Sequence, residues 1–231
     1  MTIKSLEEAS LLVKNMPFDR DKWIEIYTYT SIHNPWARER IRKMKESDVR
    51  YFKSIDILEE AEQLAEKNFP FERGKVLEIG AHVGRFAVYK VVNFPEIFLS
   101  CVDASEYLTT FGIENEKRLD VSNRIDRRVM LAEELIFSDV SFDRVYAFET
   151  MEHVGDLHKS LSEISRVLKY GGDFVFSLPF GNFDDGGFHT QKHTKTYWIE
   201  ALSDFFKVDE DLLISVRGGM VGKVTKCVCG G

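Results

Sequence analysis

At 231 residues, with 44% hydrophobic and 13% aromatic side chains, the chain has the apolar mass for one large core and too much of it for an intrinsically disordered protein. A net charge of −7 argues against nucleic acid as the partner, because phosphate recognition needs a cationic face. No apolar run approaches the roughly 20 residues of a membrane span, the charged opening MTIKSLEEASLLVKN lacks the form of a signal peptide, and three sparse cysteines suit a reducing, cytoplasmic setting without a disulfide framework.

Residues 1–70 read as a helical extension. Phe52, Ile55, Leu58, Ala61 and Ala65 recur every three or four positions. The run RERIRKMK from Arg38 is either a solvated helix face or a greeting for an anionic substrate. From Gly74 the texture changes, and residues 71–231 read as a second domain. Short apolar strands (KVLEI, IFLSCVD, RRVMLA, FDRVYAF, GGDFVFSLP) alternate with helical stretches over 106–119 and 156–169. That alternation predicts an α/β fold, a mostly parallel sheet with helices on both faces. Residues 206–216 and 223–229 then read as strands on either side of RGGM and its neighbours. The connection is too short for a helical crossover, so an antiparallel hairpin closes the sheet. Cys227 and Cys229 share a face of its last strand, where ordinary packing explains them.

The first strand leads into VLEIGAHVGRFA, residues 76–87. In an open parallel sheet, ligands bind beyond the carboxyl ends of the strands. A dinucleotide site wants GxGxxG, but His82 and Phe86 stand where its second and third glycines belong, and the lysine of a phosphate-binding GxxxxGK[ST] loop is missing. A phosphate-free nucleoside fits better. S-adenosylmethionine carries an ammonium and a sulfonium that Glu78 at the strand end complements, while Gly80 and Gly84 keep the turn tight.

The stretch 75–180 resembles the class I S-adenosylmethionine-dependent methyltransferases, in particular the small-molecule enzymes of the ubiquinone-pathway type. VLEIGAHVGRFA is similar to the family's ExGxGxG, with His82 replacing the middle glycine. In CVDAS, Asp103 follows the second strand where the family places the acid that accepts hydrogen bonds from the ribose hydroxyls; capping of the next helix together with Glu106 is a second role for it. LAEELIF, residues 131–137, resembles the adenine-contacting segment, with Leu131 in place of its acid. SFDRVYAFETMEHVGDLHKSLSEISRVLKYGGDFVFSLP resembles the fourth strand, its helix and the fifth strand, with KYGG for the usual KPGG. The resemblance implies a Rossmann-like class I methyltransferase sheet and bound S-adenosylmethionine. It also implies a cofactor set of Glu78, Gly80, Ala81, His82, Gly84, Asp103, Ala104, Ala132, Glu133 and Phe148.

Beyond the fourth strand, ETMEH sets Glu149, Glu152 and His153 at i, i+3 and i+4, on one face if the segment is helical. FHTQKHTKTYW adds His189 and His193 in the loop after the fifth strand, at the same sheet edge. ExxEH resembles the metal motif of ubiquinone-pathway O-methyltransferases and of small-RNA 2′-O-methyltransferases, the latter with a later histidine like His193. The resemblance implies Mg²⁺ or Mn²⁺ held by Glu149, Glu152, His153 and His193, polarising an acceptor hydroxyl. In the metal-free alternative, Glu149 lines the methionine pocket, Glu152 pairs locally, and His153 or His193 serves as the base. His33 and His158 read as surface histidines. The aromatics of FGNFDDGGFH and Tyr197–Trp198 either cover a substrate or belong to the core. The expected function is methyl transfer to a small-molecule acceptor, at oxygen, under a lid made by residues 1–70. An RNA 2′-O-methyltransferase and a non-catalytic S-adenosylmethionine-binding protein are the alternatives. Nothing of NPPY form follows the fourth strand, so transfer to an amide or a base amine has no support.

Overall fold

The computed structural model of the chain describes residues 56–180, 189 and 191–227, without Val83 and Arg217. The expected lid up to residue 55, with the Arg38 run and His33, lies outside the described residues, as do Cys229 and most of FGNFDDGGFH. Helix α1 (Asp56–Asn68) buries Ala61 and Ala65, the heptad-like stripe expected of it. It docks through charge as well. Glu62 meets Arg85 at 2.6 Å, Glu66 meets Lys90 at 2.9 Å, and the Phe69 carbonyl just past the helix accepts from Arg144. Buried pairs of this kind fix an orientation more than they add net stability.

Strands β1 (Arg73–Ile79), β2 (Glu96–Asp103), β3 (Ile125–Val129), β4 (Phe142–Ala147) and β5 (Leu168–Pro179) run parallel in the order β3-β2-β1-β4-β5. Helices α2 (Arg85–Asn93), α3 (Glu106–Arg118) and α4 (Leu157–Val167) connect them, and α5 (Lys195–Ser203) follows β5. Because successive side chains of a strand point to opposite faces, each strand feeds two cores. Leu77, Val145 and Phe176 pack with Leu161 and Ile164 of α4 and Trp198 of α5. Val76, Tyr146 and Val175 pack with Ala65 of α1 and Phe86 of α2. Among the described residues no helix is long and apolar enough to cross a membrane.

The antiparallel closure is as expected, but the bounds of its strands are not. Strands β6 (Leu213–Val216) and β7 (Gly219–Thr225) are joined through Gly218 at φ 79°, and β7 pairs antiparallel with β5. The predicted strand 206–216 is shorter because Asp209 accepts from the Asp211 amide and starts a turn there. The predicted strand 223–229 starts earlier, because Gly219 and Gly222 belong to it. A β-carbon on Gly219 would lie 2.6 Å from the Leu178 carbonyl, and one on Gly222 2.6 Å from Leu213, so glycine is needed for strands to approach this closely. Cys227 falls beyond the strand end and is exposed.

Candidate active site

Strands β1, β2, β4 and β5 end on one edge, and the turn after β1 is tied to its neighbour. The Gly80 and Ala81 amides both donate to the Val102 carbonyl, at 2.9 and 3.1 Å, and the Gly84 amide returns to Ala81 at 2.9 Å. Gly80 and Gly84 have φ of 70° and 84°. Neither has room for a β-carbon, which would lie 2.2 Å from Thr150 Oγ1 at Gly80 and 2.4 Å from Arg127 Nη2 at Gly84. His82, in place of the family's middle glycine, is itself left-handed at φ 47°. Its amide donates to Asp103 Oδ2 at 2.9 Å, and its carbonyl accepts from Arg127 Nη1 at 3.0 Å.

Both expected acids border this turn. Glu78 is buried, and burial outweighs the opposing pull of Arg127, lifting its pKa to about 7; the Cys101 thiol donates to its Oε2 at 3.7 Å. Burial also raises Asp103, against the amides of Ser105 and His82 that it accepts, the former at 2.8 Å. The expected cap on the next helix is different: Ser105 Oγ accepts from the Leu108 amide at 3.2 Å, so Ser105 begins α3. Asp103 thus buttresses the β1 turn and does not form a capping box with Glu106.

The remaining cofactor candidates divide. Ala104 is partly open, Ala132 is buried, and Leu131 beside it keeps 37% of its surface exposed at the sheet edge. Glu133, expected to help at adenine, directs Oε1 to the amides of Gly155 and Asp156 at 2.7 and 3.2 Å, joining the loop after β3 to the one after β4. The Phe148 ring is buried edge-on against Phe86, centroids 5.2 Å apart, so only its backbone is left to face a ligand.

ETMEH is no helical face. Glu149 takes a left-handed φ of 45°, and Met151–His153 is one 3-10 turn. Burial raises both Glu149 and Glu152, Glu152 the further because it is fully buried and the Glu149 carboxylate stands beside it. His153 Nε2 lies 3.8 Å from Glu152 Oε1. The His153 and His189 rings meet edge-on with centroids 5.0 Å apart. Donor atoms of Glu152, His153 and His189 all lie within 4.8 Å of one another.

That grouping corrects the expected set. His193 stands outside it: its Nε2 is 3.0 Å from Gln191 Oε1, its ring stacks on Tyr197 at 3.8 Å, and burial lowers its pKa, with His158 adding to the shift. Glu149 stands outside it too, drawn toward β5 by Ser177. Trp198 is core, donating from Nε1 to the Pro179 carbonyl at 2.8 Å, and His158 lies at the surface, 3.4 Å from Asp204.

The same core is shared with known proteins. The methyltransferase domain family matches residues 77–176, from β1 to β5. Over that span the chain is similar to class I S-adenosylmethionine-dependent methyltransferases, as its sequence motifs are. It is 29% identical over 123 residues to a malonyl-[acyl-carrier protein] O-methyltransferase of Geobacter sulfurreducens, covering 52% of this chain and 43% of that protein. It is 31% identical over 170 residues to methyltransferase GfsG of Streptomyces halstedii, covering 64% of this chain and 58% of that one. The chain thus spans about half the length of these relatives. In fold it is similar to a Haemonchus contortus phosphoethanolamine N-methyltransferase solved with S-adenosyl-L-methionine, with a TM-score of 0.57, 21% identity, and coverage of 65% of this chain and 37% of that one.

Two residues that sequence reasoning passed over matter to the site. Arg127, on β3, is buried beneath the β1 turn, with its Nε 2.6 Å from Glu116. Its signal was an arginine at an inward position of RRVMLA, in step with Ile125. Ser177, on β5, holds Glu149. A lone serine in an apolar strand carries no such signal.

Proposed function

We propose that the chain transfers a methyl group from S-adenosylmethionine to a small-molecule acceptor, at oxygen. The observation that carries this reading is the placing of two carboxylates, Glu78 and Asp103, around a left-handed turn at the sheet edge, with the Glu152–His153–His189 group after β4 and β5 on the same edge.

The residues suit the cofactor. When bound, it supplies an electrophilic methyl group on a sulfonium. A nearby cation favours the ionised form of Glu78. Each Asp103 oxygen accepts one amide and has a second lone-pair direction to offer a ribose diol. Leu131 offers an exposed apolar surface to an adenine ring, and the Ala132 backbone lies next to it.

For the acceptor, His153 is the base that fits. Its side chain is 24% exposed, it stands beside Glu152, and an imidazole takes up a proton near neutral pH. Holding acceptor and donor in line then supplies much of the rate, since methyl transfer is a displacement that depends chiefly on approximation. The Geobacter relative is an O-methyltransferase, which supports an oxygen acceptor.

A second reading rests on the convergence within 4.8 Å. Glu152, His153 and His189 form a mixed carboxylate–imidazole set of the kind that would hold Mg²⁺ or Mn²⁺, which would lower the pKa of an acceptor hydroxyl. Such a site would also serve the RNA 2′-O-methyltransferase alternative, which the chain's acidic balance disfavours. Mass spectrometry of the purified protein for co-bound S-adenosylmethionine or S-adenosylhomocysteine, followed by methyl-transfer assays on hydroxyl and amine acceptors, tests the proposal. Binding without turnover on any acceptor class would favour the non-catalytic reading.

A further inference from the structure

Position 82 is where the family's glycine motif relies on a residue free to turn left-handed, and here a histidine occupies it at φ 47°. A side chain in that region is disfavoured and persists where surrounding structure over-determines it. Both peptide groups of His82 are held. Asp103 takes its N–H at 2.9 Å from the end of β2, and Arg127 binds its carbonyl at 3.0 Å from β3.

Arg127 is well suited to that task. Its side chain is 1% exposed, and Glu116 of α3, 2% exposed, fixes Nε at 2.6 Å. A β-carbon on Gly84 would lie 2.4 Å from Nη2, and one on Gly112 would lie 2.6 Å from the guanidinium carbon, so glycines on two elements make room for this arginine. A guanidinium presents its N–H groups in a rigid planar fork, so Arg127 holds Glu116 and the His82 carbonyl in one fixed relative geometry that a flexible ammonium would not impose.

The geometry points to Arg127, fixed by Glu116, as the positioning residue that lets His82 replace glycine in the cofactor turn and keeps that turn shaped for S-adenosylmethionine. Arg127 touches no reacting atom and acts through the His82 carbonyl. The inference rests on the proposed cofactor, so failure of the unaltered protein to bind S-adenosylhomocysteine would strike that reading first.

The test is a rescue experiment on the full chain, with S-adenosylhomocysteine affinity read by calorimetry and folding by circular dichroism. The variant Glu116→Gln/Arg127→Met removes both buried charges together and should lower affinity at least tenfold. Adding His82→Gly should recover most of that loss, because glycine turns left-handed unaided. Arg127→Lys, which keeps the charge but not the fork, should show the same loss and rescue. A folded Arg127 variant with unchanged affinity, or a loss that His82→Gly leaves untouched, overturns the assignment. Failure of every Arg127 variant to fold, with and without His82→Gly, also overturns it and makes Arg127 a core residue only.

Discussion

Ser177 and Glu149 are joined by two hydrogen bonds across β4 and β5: the Glu149 amide donates to Ser177 Oγ at 2.8 Å, and Ser177 Oγ donates to Glu149 Oε1 at 2.7 Å. The serine therefore sets both the backbone and the carboxyl of a residue held at φ 45°. Ser177→Ala leaves a buried amide and a buried carboxyl short of a partner, at a cost of about 1–3 kcal/mol. A fall in the thermal midpoint together with reduced turnover is expected. Calorimetric melting and a methyl-transfer assay measure the two, and unchanged turnover would remove Ser177 from the acceptor side of the site.

Glu78 makes stability and cofactor binding respond to pH in opposite senses. Its pKa rises from an ordinary 4.5 to about 7, so between those values the folded state keeps a proton that the unfolded chain releases. Stability contributed by this group is present below pH 4.5, declines as pH rises toward 7, and leaves a penalty on the order of 3 kcal/mol above it. Glu78→Gln should therefore match the unaltered protein near pH 4.5 and be the more stable near pH 8. Affinity for S-adenosylmethionine should strengthen from pH 6 to 8 in the unaltered protein and stay flat in the variant. Melting curves and titrations at both ends of the range check the pair of trends.

Asp103→Ala removes two supports of the turn, at His82 and Ser105, together with the expected ribose contacts. Loss of about 1.5–3 kcal/mol, or roughly tenfold to over a hundredfold in affinity for S-adenosylhomocysteine, is expected. Titration calorimetry reads it directly, and undiminished binding would place the ribose elsewhere.

The histidines separate the two mechanisms. With a metal, EDTA abolishes turnover, Mg²⁺ or Mn²⁺ restores it, and Glu152→Ala or His189→Ala loses the response while His193→Ala keeps it, since His193 is committed to Gln191 and Tyr197. With His153 as an unassisted base, EDTA has no effect and His153→Ala is the damaging change. Elemental analysis beside the assays decides between them.

The sheet was legible because apolar strands and amphipathic helices alternate along the chain, and the tight turn at its carboxyl edge because a carboxylate and two glycines follow the first strand. Site geometry was less so. ETMEH suggests a helical face, but Ser177 draws Glu149 into a left-handed turn, a long-range effect with no local trace. His189 and His193 lie four residues apart in one loop, and only the seating of that loop, with the Gln191 amide on the Glu152 carbonyl at 2.9 Å, selects His189 for the acidic group. The bounds of the C-terminal hairpin strands were misread because glycines that read as turn residues belong to the last strand.

The docking of α1 bears on where this protein can be cut. The change of texture at Gly74 marks the first strand, but Arg85 and Lys90 on α2 find their carboxylates on α1, at Glu62 and Glu66. A fragment starting at residue 71 would strip Ala61, Ala65 and both carboxylates from the core that α2 packs into, exposing apolar surface there and leaving Arg85 and Lys90 without those counter-charges. Arg85 also immediately follows Gly84 of the cofactor turn, so the damage would begin at the ligand edge. For expression or domain transplantation, the smallest sensible unit therefore starts at or before Asp56.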